Sequence, residues 1–177
     1  MKKLLVIFLA AIISGCSHAI SEKYLEQADR EISFVQLKHD PKEFQGKMVI
    51  LGGVIVNTVN RDDGSLLEVY QTRTNRLGEP VDLDESEGRF LVFHERLLDP
   101  EIFSKGRRIT VAGRIQGEKT GKLGEMEYRY PLIYAQEIRL WEEKPAVRYE
   151  PYPRDPWHYP YPYRRLYHPY YHPYPWW

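Results

Sequence analysis

Short apolar runs that alternate with polar residues recur between residues 32 and 141. This period of two predicts β-strands, and β-branched side chains dominate the strongest runs. The first run is almost continuously apolar, so we expect both of its faces to be buried. Gly52 and Gly53 in its middle permit a bulge or sharp bend. The pattern predicts five strands, at residues 48–57, 65–72, 89–94, 108–116 and 132–141.

The segments between these runs carry turn and cap residues. Ser33 can cap a short helix at residues 34–38, which ends before a proline. Residues 60–64 have the composition of a hairpin turn. The remaining connections are predicted as a surface loop at 75–88, a turn of helix at 98–103 capped by Asp99, and a flexible loop at 117–124.

Five strands with a bend in the first predict a mainly β fold. We expect a small five-stranded OB-fold-like barrel with one or two short helices, followed by a Pro/Tyr-rich irregular C-terminal tail. A different small β-sandwich or an open meander is the alternative.

The first fifteen residues have the features of a bacterial signal peptide. Two lysines precede an apolar run at residues 4–13. A helix of that length reaches only ~15 Å, about half of a bilayer core, so the run predicts a cleaved signal rather than a membrane span. Residues 13–16, Ile-Ser-Gly-Cys, resemble the lipobox of bacterial lipoproteins. That resemblance predicts cleavage after Gly15 and conversion of Cys16 to an N-palmitoyl, S-diacylglycerol cysteine. An ordinary secretory signal with an incidental cysteine is the alternative.

Composition divides the rest of the chain into three parts. Residues 16–31 are polar and predict an acylated N-terminus with a tether or short helix. Residues 32–144 hold nearly all the aliphatic alternation and predict the barrel body. Residues 145–177 contain nine Pro, nine Tyr, three Trp and three His. Such a segment cannot build an aliphatic core, so it predicts an extended or disordered tail.

Several stretches of the body, together with the lipobox, resemble the Slp family of outer-membrane lipoproteins, named for starvation induction. The most distinctive stretch is Gly-Lys-Leu-Gly-Glu-Met-Glu-Tyr-Arg-Tyr-Pro at residues 121–131. The resemblance covers the signal and residues 32–141, and the tail lies outside it. The other matching stretches are residues 51–58, 63–64, 67–69, 86–91 and 98–100.

The resemblance implies an acylated outer-membrane protein that faces the periplasm and has a stress or stationary-phase role. Ser17, where an Asp would signal inner-membrane retention in such lipoproteins, agrees with the outer membrane. The resemblance implies no catalytic residues.

Charge and reactive side chains narrow the chemistry further. Lys plus Arg and Asp plus Glu each number 25, which argues against a nucleic-acid partner. His39 and His94 stand in no nucleophile motif, so we expect no enzyme, with an unrecognised activity as the last alternative. The acidic residues at 82–87 lack the spacing of a calcium-binding loop. The prolines among the tail histidines prevent the helix that would align their rings on one ion. We therefore expect no metal and no cofactor.

Two segments are candidates for binding. Tyr128, Arg129 and Tyr130 combine stacking with charge and predict a ligand loop at 121–131; the alternative is that these aromatics cover the barrel end. The tail at 145–177 combines aromatics with arginine and suits peptidoglycan or an envelope protein, or else a membrane interface or no specific partner.

Two functional hypotheses follow. The first is a non-catalytic outer-membrane lipoprotein, anchored in outer-membrane lipid through Cys16, that acts by binding or structural contacts. The second is a periplasmic module that binds a glycan, lipid or small molecule on its barrel face or its 121–131 loop.

Overall fold

A computed structural model of the protein describes residues 18–143. Their strands form a closed barrel in the order β1-β2-β3-β5-β4. Every neighbouring pair is antiparallel except β3 and β5, which are parallel. This is the strand arrangement of an OB-fold barrel, so the predicted fold is confirmed for the described residues. The elements are α1 Glu22–Gln27, α2 Phe34–His39, β1 Met48–Arg61, β2 Gly64–Thr72, β3 Arg89–His94, β4 Arg108–Leu123 and β5 Met126–Leu140.

The barrel interior is filled by side chains. Strand residues alternate between the two faces of a sheet, so every second residue points inward. Leu67 and Val69 of β2 lie beside Phe90 and Val92 of β3, and all four are fully buried. The other strands complete this core with Val49, Leu51, Ile55, Ile109, Val111, Ile115, Ile133 and Ala135.

Helix α2 closes one end of the barrel. Ser33 and Gln36 form a capping box at its start, which satisfies backbone N–H groups of the first turn. Phe34 and Leu37 are buried, and the Phe34 ring meets Phe90 edge-on at 5.9 Å. The helix is one residue longer than predicted.

The predicted loop at 117–124 is wrong. Strands β4 and β5 instead continue past the barrel as a paired arm, with Thr120 opposite Arg129 and Lys122 opposite Glu127. Gly124, at φ +63°, makes the tight turn between them. The β5 half of the arm does alternate, with Met126, Tyr128 and Tyr130 on one face, but the β4 half has glycines at 117 and 121 and lysines at 119 and 122, which break the apolar alternation there.

One further boundary differs from the prediction, and one predicted turn is confirmed. β1 continues to Arg61, because its last residues pair with the start of β2 as far as Gly64. The predicted turn of helix at 98–103 is confirmed as a single turn: the Phe103 N–H donates to the Asp99 carbonyl oxygen at 2.8 Å, and the Asp99 carboxylate accepts from the Glu101 N–H at 2.9 Å.

The described part of the segment predicted as a tether or short helix lies on the barrel. Helix α1 is followed by Ala28, which forms a parallel bridge with Met48 at the start of β1. The Asp29 N–H donates to the Met48 carbonyl oxygen at 2.9 Å. Within residues 18–143, neither helix is long and apolar enough to cross a membrane.

Candidate functional site

Because core side chains fill the barrel, a partner of the described residues has to be met on the outside. The outer surface has two sides that differ in what lies on them. We call the outward-facing residues of β1, β4 and β5 around Met48, Thr110 and Ala112 the covered side. We call the row Val59, Leu66, Phe93 and Tyr134 the open face.

The covered side is hidden although its residues point away from the core. Ala112 and Thr110 are fully buried, and Met48 is 3% exposed. Two segments lie over this side. One is the N-terminal segment before β1, and the other is a small hairpin in the β2–β3 loop that is closed by a bridge between Thr74 and Pro80.

The two covering segments are tied to each other and to the barrel. The Ala19 N–H donates to the Leu77 carbonyl oxygen at 2.9 Å. The Thr110 hydroxyl donates to the Gly78 carbonyl oxygen at 2.5 Å and accepts from Trp141 Nε1 at 2.9 Å. Gly52 makes room for the hairpin, because a Cβ there would overlap Thr74 Cγ2.

The N-terminal segment also contacts the barrel at the residues that follow Ala19. Ile20 is 1% exposed, and the Ser21 hydroxyl donates to the Glu137 carboxylate of β5 at 2.6 Å. The first described residues of the chain are therefore already part of the outer layer of the barrel.

The open face is a continuous cross-strand row. Val59 lies opposite Leu66, Leu66 opposite Phe93, and Phe93 opposite Tyr134, so the row crosses four strands on one outer face. The Phe93 and Tyr134 ring centroids are 5.8 Å apart. Val59 is 43% exposed and the other three are half-buried. The row is an apolar strip with two aromatic rings that solvent can reach.

Charged groups lie beside this row. Arg89 Nη1 and Glu68 Oε1 are 2.7 Å apart on neighbouring strands. The Tyr130 hydroxyl is within hydrogen-bond distance of that carboxylate oxygen, at 3.3 Å, and of the Lys122 carbonyl oxygen, at 3.2 Å. Burial, reinforced by the nearby Glu68 carboxylate, raises the pKa of Tyr130.

The three residues of the predicted ligand loop have protein partners. The Arg89 N–H donates to the Tyr128 hydroxyl at 2.9 Å, and the Tyr128 and Tyr130 rings are 4.5 Å apart. Tyr130 is only 4% exposed, so both rings pack at the barrel end. The Arg129 side chain is 60% exposed and lies 3.7 Å from Glu118. This placement agrees with the alternative that these aromatic residues cover the barrel end. A ligand-binding role for the three residues stays a prediction.

The remaining predicted positions are scattered. His94 Nδ1 accepts from the Arg96 N–H at 3.2 Å, which fixes the turn after β3. His39 is the last residue of α2. Among residues 18–143, no group of three or more His, Cys, Asp or Glu side chains is arranged to hold a metal ion. Cys16 and the tail lie outside the described residues.

Reasoning from sequence missed the open face. The signal was present in β3, where Arg-Phe-Leu-Val-Phe-His is apolar on both faces rather than alternating. An outward Phe in such a strand must be either covered or available to a partner.

Comparison with known proteins agrees with the resemblance seen in the motifs. The family model of the outer membrane lipoprotein Slp family matches residues 13–177, so the match includes the tail, which the motif resemblance did not reach. A Haemophilus influenzae protein described as uncharacterized is 31% identical over 160 residues, covering 89% of this chain and 85% of that protein. Outer membrane protein Slp of Escherichia coli is 26% identical over 147 residues, 82% of this chain and 78% of its own. The E. coli lipoprotein YeaY is 26% identical over 159 residues, 90% of this chain and 82% of its own.

Proposed function

The chain belongs to the Slp family of outer membrane lipoproteins, and we propose that it is a non-catalytic member, anchored in lipid through Cys16, that faces the periplasm and acts by surface contacts. One observation carries this proposal. The chain becomes part of the barrel's outer layer at Ala19, three residues after Cys16. An acyl anchor at Cys16 would therefore hold the whole barrel against the membrane rather than on a long tether.

The polar groups of the outer surface support a binding role over a catalytic one. Glu68 and Arg89 neutralise each other at 2.7 Å, and the Tyr128 hydroxyl is engaged by a backbone N–H. A catalytic site needs a nucleophile, a base and an orienting group in reach of one another. These pairs do not form such a set.

Replacement of the anchor residue tests the proposal. We expect wild-type protein to incorporate labelled palmitate and to fractionate with the outer membrane. Cys16→Ala should lose the label and leave the membrane fraction. Protease should digest the barrel only after the outer membrane is permeabilised. Membrane association that survives Cys16→Ala, or digestion in intact cells, would overturn the corresponding part of the proposal.

A second candidate function is binding of a glycan on the open face. The row of Phe93 and Tyr134 between Leu66 and Val59 supports it, because sites for small ligands combine apolar and aromatic side chains with a few polar groups, here Glu68 and Arg89. We expect Phe93→Ala to abolish a thermal shift caused by soluble peptidoglycan fragments, and Val35→Ala, a 58% exposed residue of α2, to leave it intact. Absence of any shift with the wild-type protein would exclude this candidate.

The tail at 145–177 is proposed to contact peptidoglycan or an envelope protein, on the strength of its aromatic and arginine composition. Photo-crosslinking in cells from Tyr161, with Gln116 of β4 as the comparison position, tests this. A discrete band or a peptidoglycan ladder from Tyr161 alone would support it. Adducts from Gln116 alone would move the contact to the barrel.

A link to stress or stationary phase is also proposed, supported by the family resemblance. Immunoblots across growth and nutrient limitation should show the protein rising as growth stops. A constant level under both conditions would contradict the link.

A further inference from the structure

The hairpin of the β2–β3 loop places a leucine beside the N-terminal end of the described chain. Only Ser17 separates Cys16 from His18. An extended chain spans at most ~3.6 Å per residue, so the two steps from His18 to Cys16 reach about 7 Å. An acyl group on Cys16 consequently enters the membrane close to wherever His18 is held.

His18 is held against the tip of this hairpin. The Ile20 N–H donates to His18 Nδ1 at 3.2 Å, and a Cβ on Gly78 would lie 3.0 Å from His18 Cε1. The neighbouring Ala19 is bonded to the Leu77 carbonyl oxygen. The anchor and the hairpin tip therefore approach the membrane together.

Hydrogen bonds within the tip define its conformation. The Asn75 carboxamide oxygen accepts from the Leu77 N–H at 2.9 Å and from the Glu79 N–H at 3.0 Å. Gly78, at φ +83°, completes the turn. This arrangement leaves Leu77 45% exposed, with the exposed Arg76 next to it.

A leucine beside an arginine suits a lipid interface, and the closeness of this pair to Cys16 distinguishes it from the similar pair Arg96 and Leu97. The apolar side chain gains by entering the acyl boundary, and the guanidinium meets the phosphates of the headgroups. The carboxylate of the tip, Glu79, is 2.5 Å from Arg108 and so is neutralised. The loop's other acids follow the tip, starting with Asp82, 3.9 Å from Arg73, so the contact is confined to the tip.

We propose that the tip formed by residues 75–79 is the membrane-contacting surface of the barrel, with Leu77 in the phospholipid interface and Arg76 on its phosphates. This inference rests on the proposed acyl anchor at Cys16. It has a geometric consequence, since the covered side then faces the bilayer and the open face does not.

A matched pair of probe positions tests the proposal in the full acylated protein. Leu77→Cys and Val59→Cys each place an environment-sensitive fluorophore at a site of nearly equal exposure, 45% and 43%, on different sides of the barrel. The proteins are inserted into vesicles of phosphatidylethanolamine and phosphatidylglycerol, with and without spin-labelled lipid. We expect a blue shift and loss of most emission by quenching at position 77, and neither change at position 59.

The outcomes separate this inference from the anchor proposal. Flotation with the vesicles and the mass of the Cys16 adduct report on the anchor alone. Protein that floats while position 77 reports water, or while position 59 is the quenched one, would overturn the inference and leave the anchor standing. Unchanged melting of both labelled variants shows that the fold is kept. Arg76→Gln should weaken quenching at position 77 in anionic vesicles, and an unchanged signal would remove Arg76 from the contact.

Discussion

The covered side and the open face are built from the same barrel and even share strands β1 and β5. Both present apolar residues outward, yet Ala112 is fully buried on one side and Val59 is 43% exposed on the other. The difference lies in segments outside the strands, namely residues 18–31 and the hairpin bridged at Thr74 and Pro80. An outward apolar residue in a small barrel therefore acquires its role from what the rest of the chain places over it.

The two sides also differ in their distance from the anchor residue, which bears on the orientation of the barrel at the membrane. The N-terminal end of the described chain lies on the covered side, where Ser21 bonds to Glu137 and Ala19 to Leu77. Under the proposed anchor and tip contact together, that side faces the bilayer and the open face faces the periplasm. The variants below test whether the two sides differ in energy as well as in exposure.

The largest effect is expected from Ile20→Ala, because the Ile20 side chain of the N-terminal segment is only 1% exposed. Removing a buried isoleucine side chain costs about 2–5 kcal/mol of unfolding free energy. Urea unfolding of the mature chain carrying Cys16→Ser measures it, with Val35→Ala of α2 as the exposed control. A loss no larger than that of Val35→Ala would mean that the segment detaches at little cost and that the covered side is not a stable unit.

A smaller loss is expected from Thr110→Val beneath the covering hairpin. The hydroxyl accepts from Trp141 Nε1 and donates to the Gly78 carbonyl oxygen, so its removal leaves two polar groups without their partner. Of the two, only Gly78 is buried, and because Trp141 is half-buried, water can satisfy its Nε1, so the expected loss is about 1–3 kcal/mol. Thr110→Ser keeps the hydroxyl and should retain most of the stability, as thermal melts of the two variants would show. Equal melting temperatures of the two variants would mean that water reaches the Thr110 site beneath the hairpin and replaces the lost hydrogen bonds.

The inward half of the barrel is predictable from the sequence, and so is the burial of both faces of β1, but most of the outward half is not. The continuous apolar run within residues 89–94 predicts β3 with the bounds that the structure has. The core residues of the other strands follow from the period of two. The two-stranded arm around Gly121 is missed because glycines and lysines break the apolar alternation of its β4 half, although Met126, Tyr128 and Tyr130 alternate with charged residues in its β5 half.

The cover over the barrel is missed for a different reason. Residues 18–31 are mostly polar, and their single fully buried side chain, Ile20, forms no periodic pattern with its neighbours. Their docking depends on long-range bonds, such as Ser21 to Glu137, that no local rule anticipates. For the same reason Tyr128 and Tyr130 can be picked out as notable, while their partners Arg89 and Glu68 cannot.

Tyr130 lies at the edge of the open face, so the access of solvent to its ring shows where that face ends. Burial and the Glu68 carboxylate raise its pKa above the ordinary 10.0, so the folded protein favours the neutral phenol. Its contribution to stability is therefore complete below pH 10 and is lost as the pH rises through the higher folded-state pKa. Tyrosine-selective NMR titration, assigned with Tyr130→Phe, should show this ring ionising late. Glu68→Gln should move the transition toward lower pH, and an ordinary transition in the wild type would mean that solvent reaches the ring.

The smallest effect is expected from Val59→Thr on the open face, compared with Ala112→Ser on the covered side. Each change adds a hydroxyl to an outward position of a strand, but only Ala112 is out of contact with water. An exposed β-branched exchange should alter the unfolding free energy by no more than about 0.5 kcal/mol, whereas a buried hydroxyl without a partner costs about 1–3 kcal/mol. Urea titrations of the two variants under one condition give the difference directly. If Val59→Thr costs as much as Ala112→Ser, then the open face is covered in solution, and the best candidate for a contact surface on this barrel is already occupied.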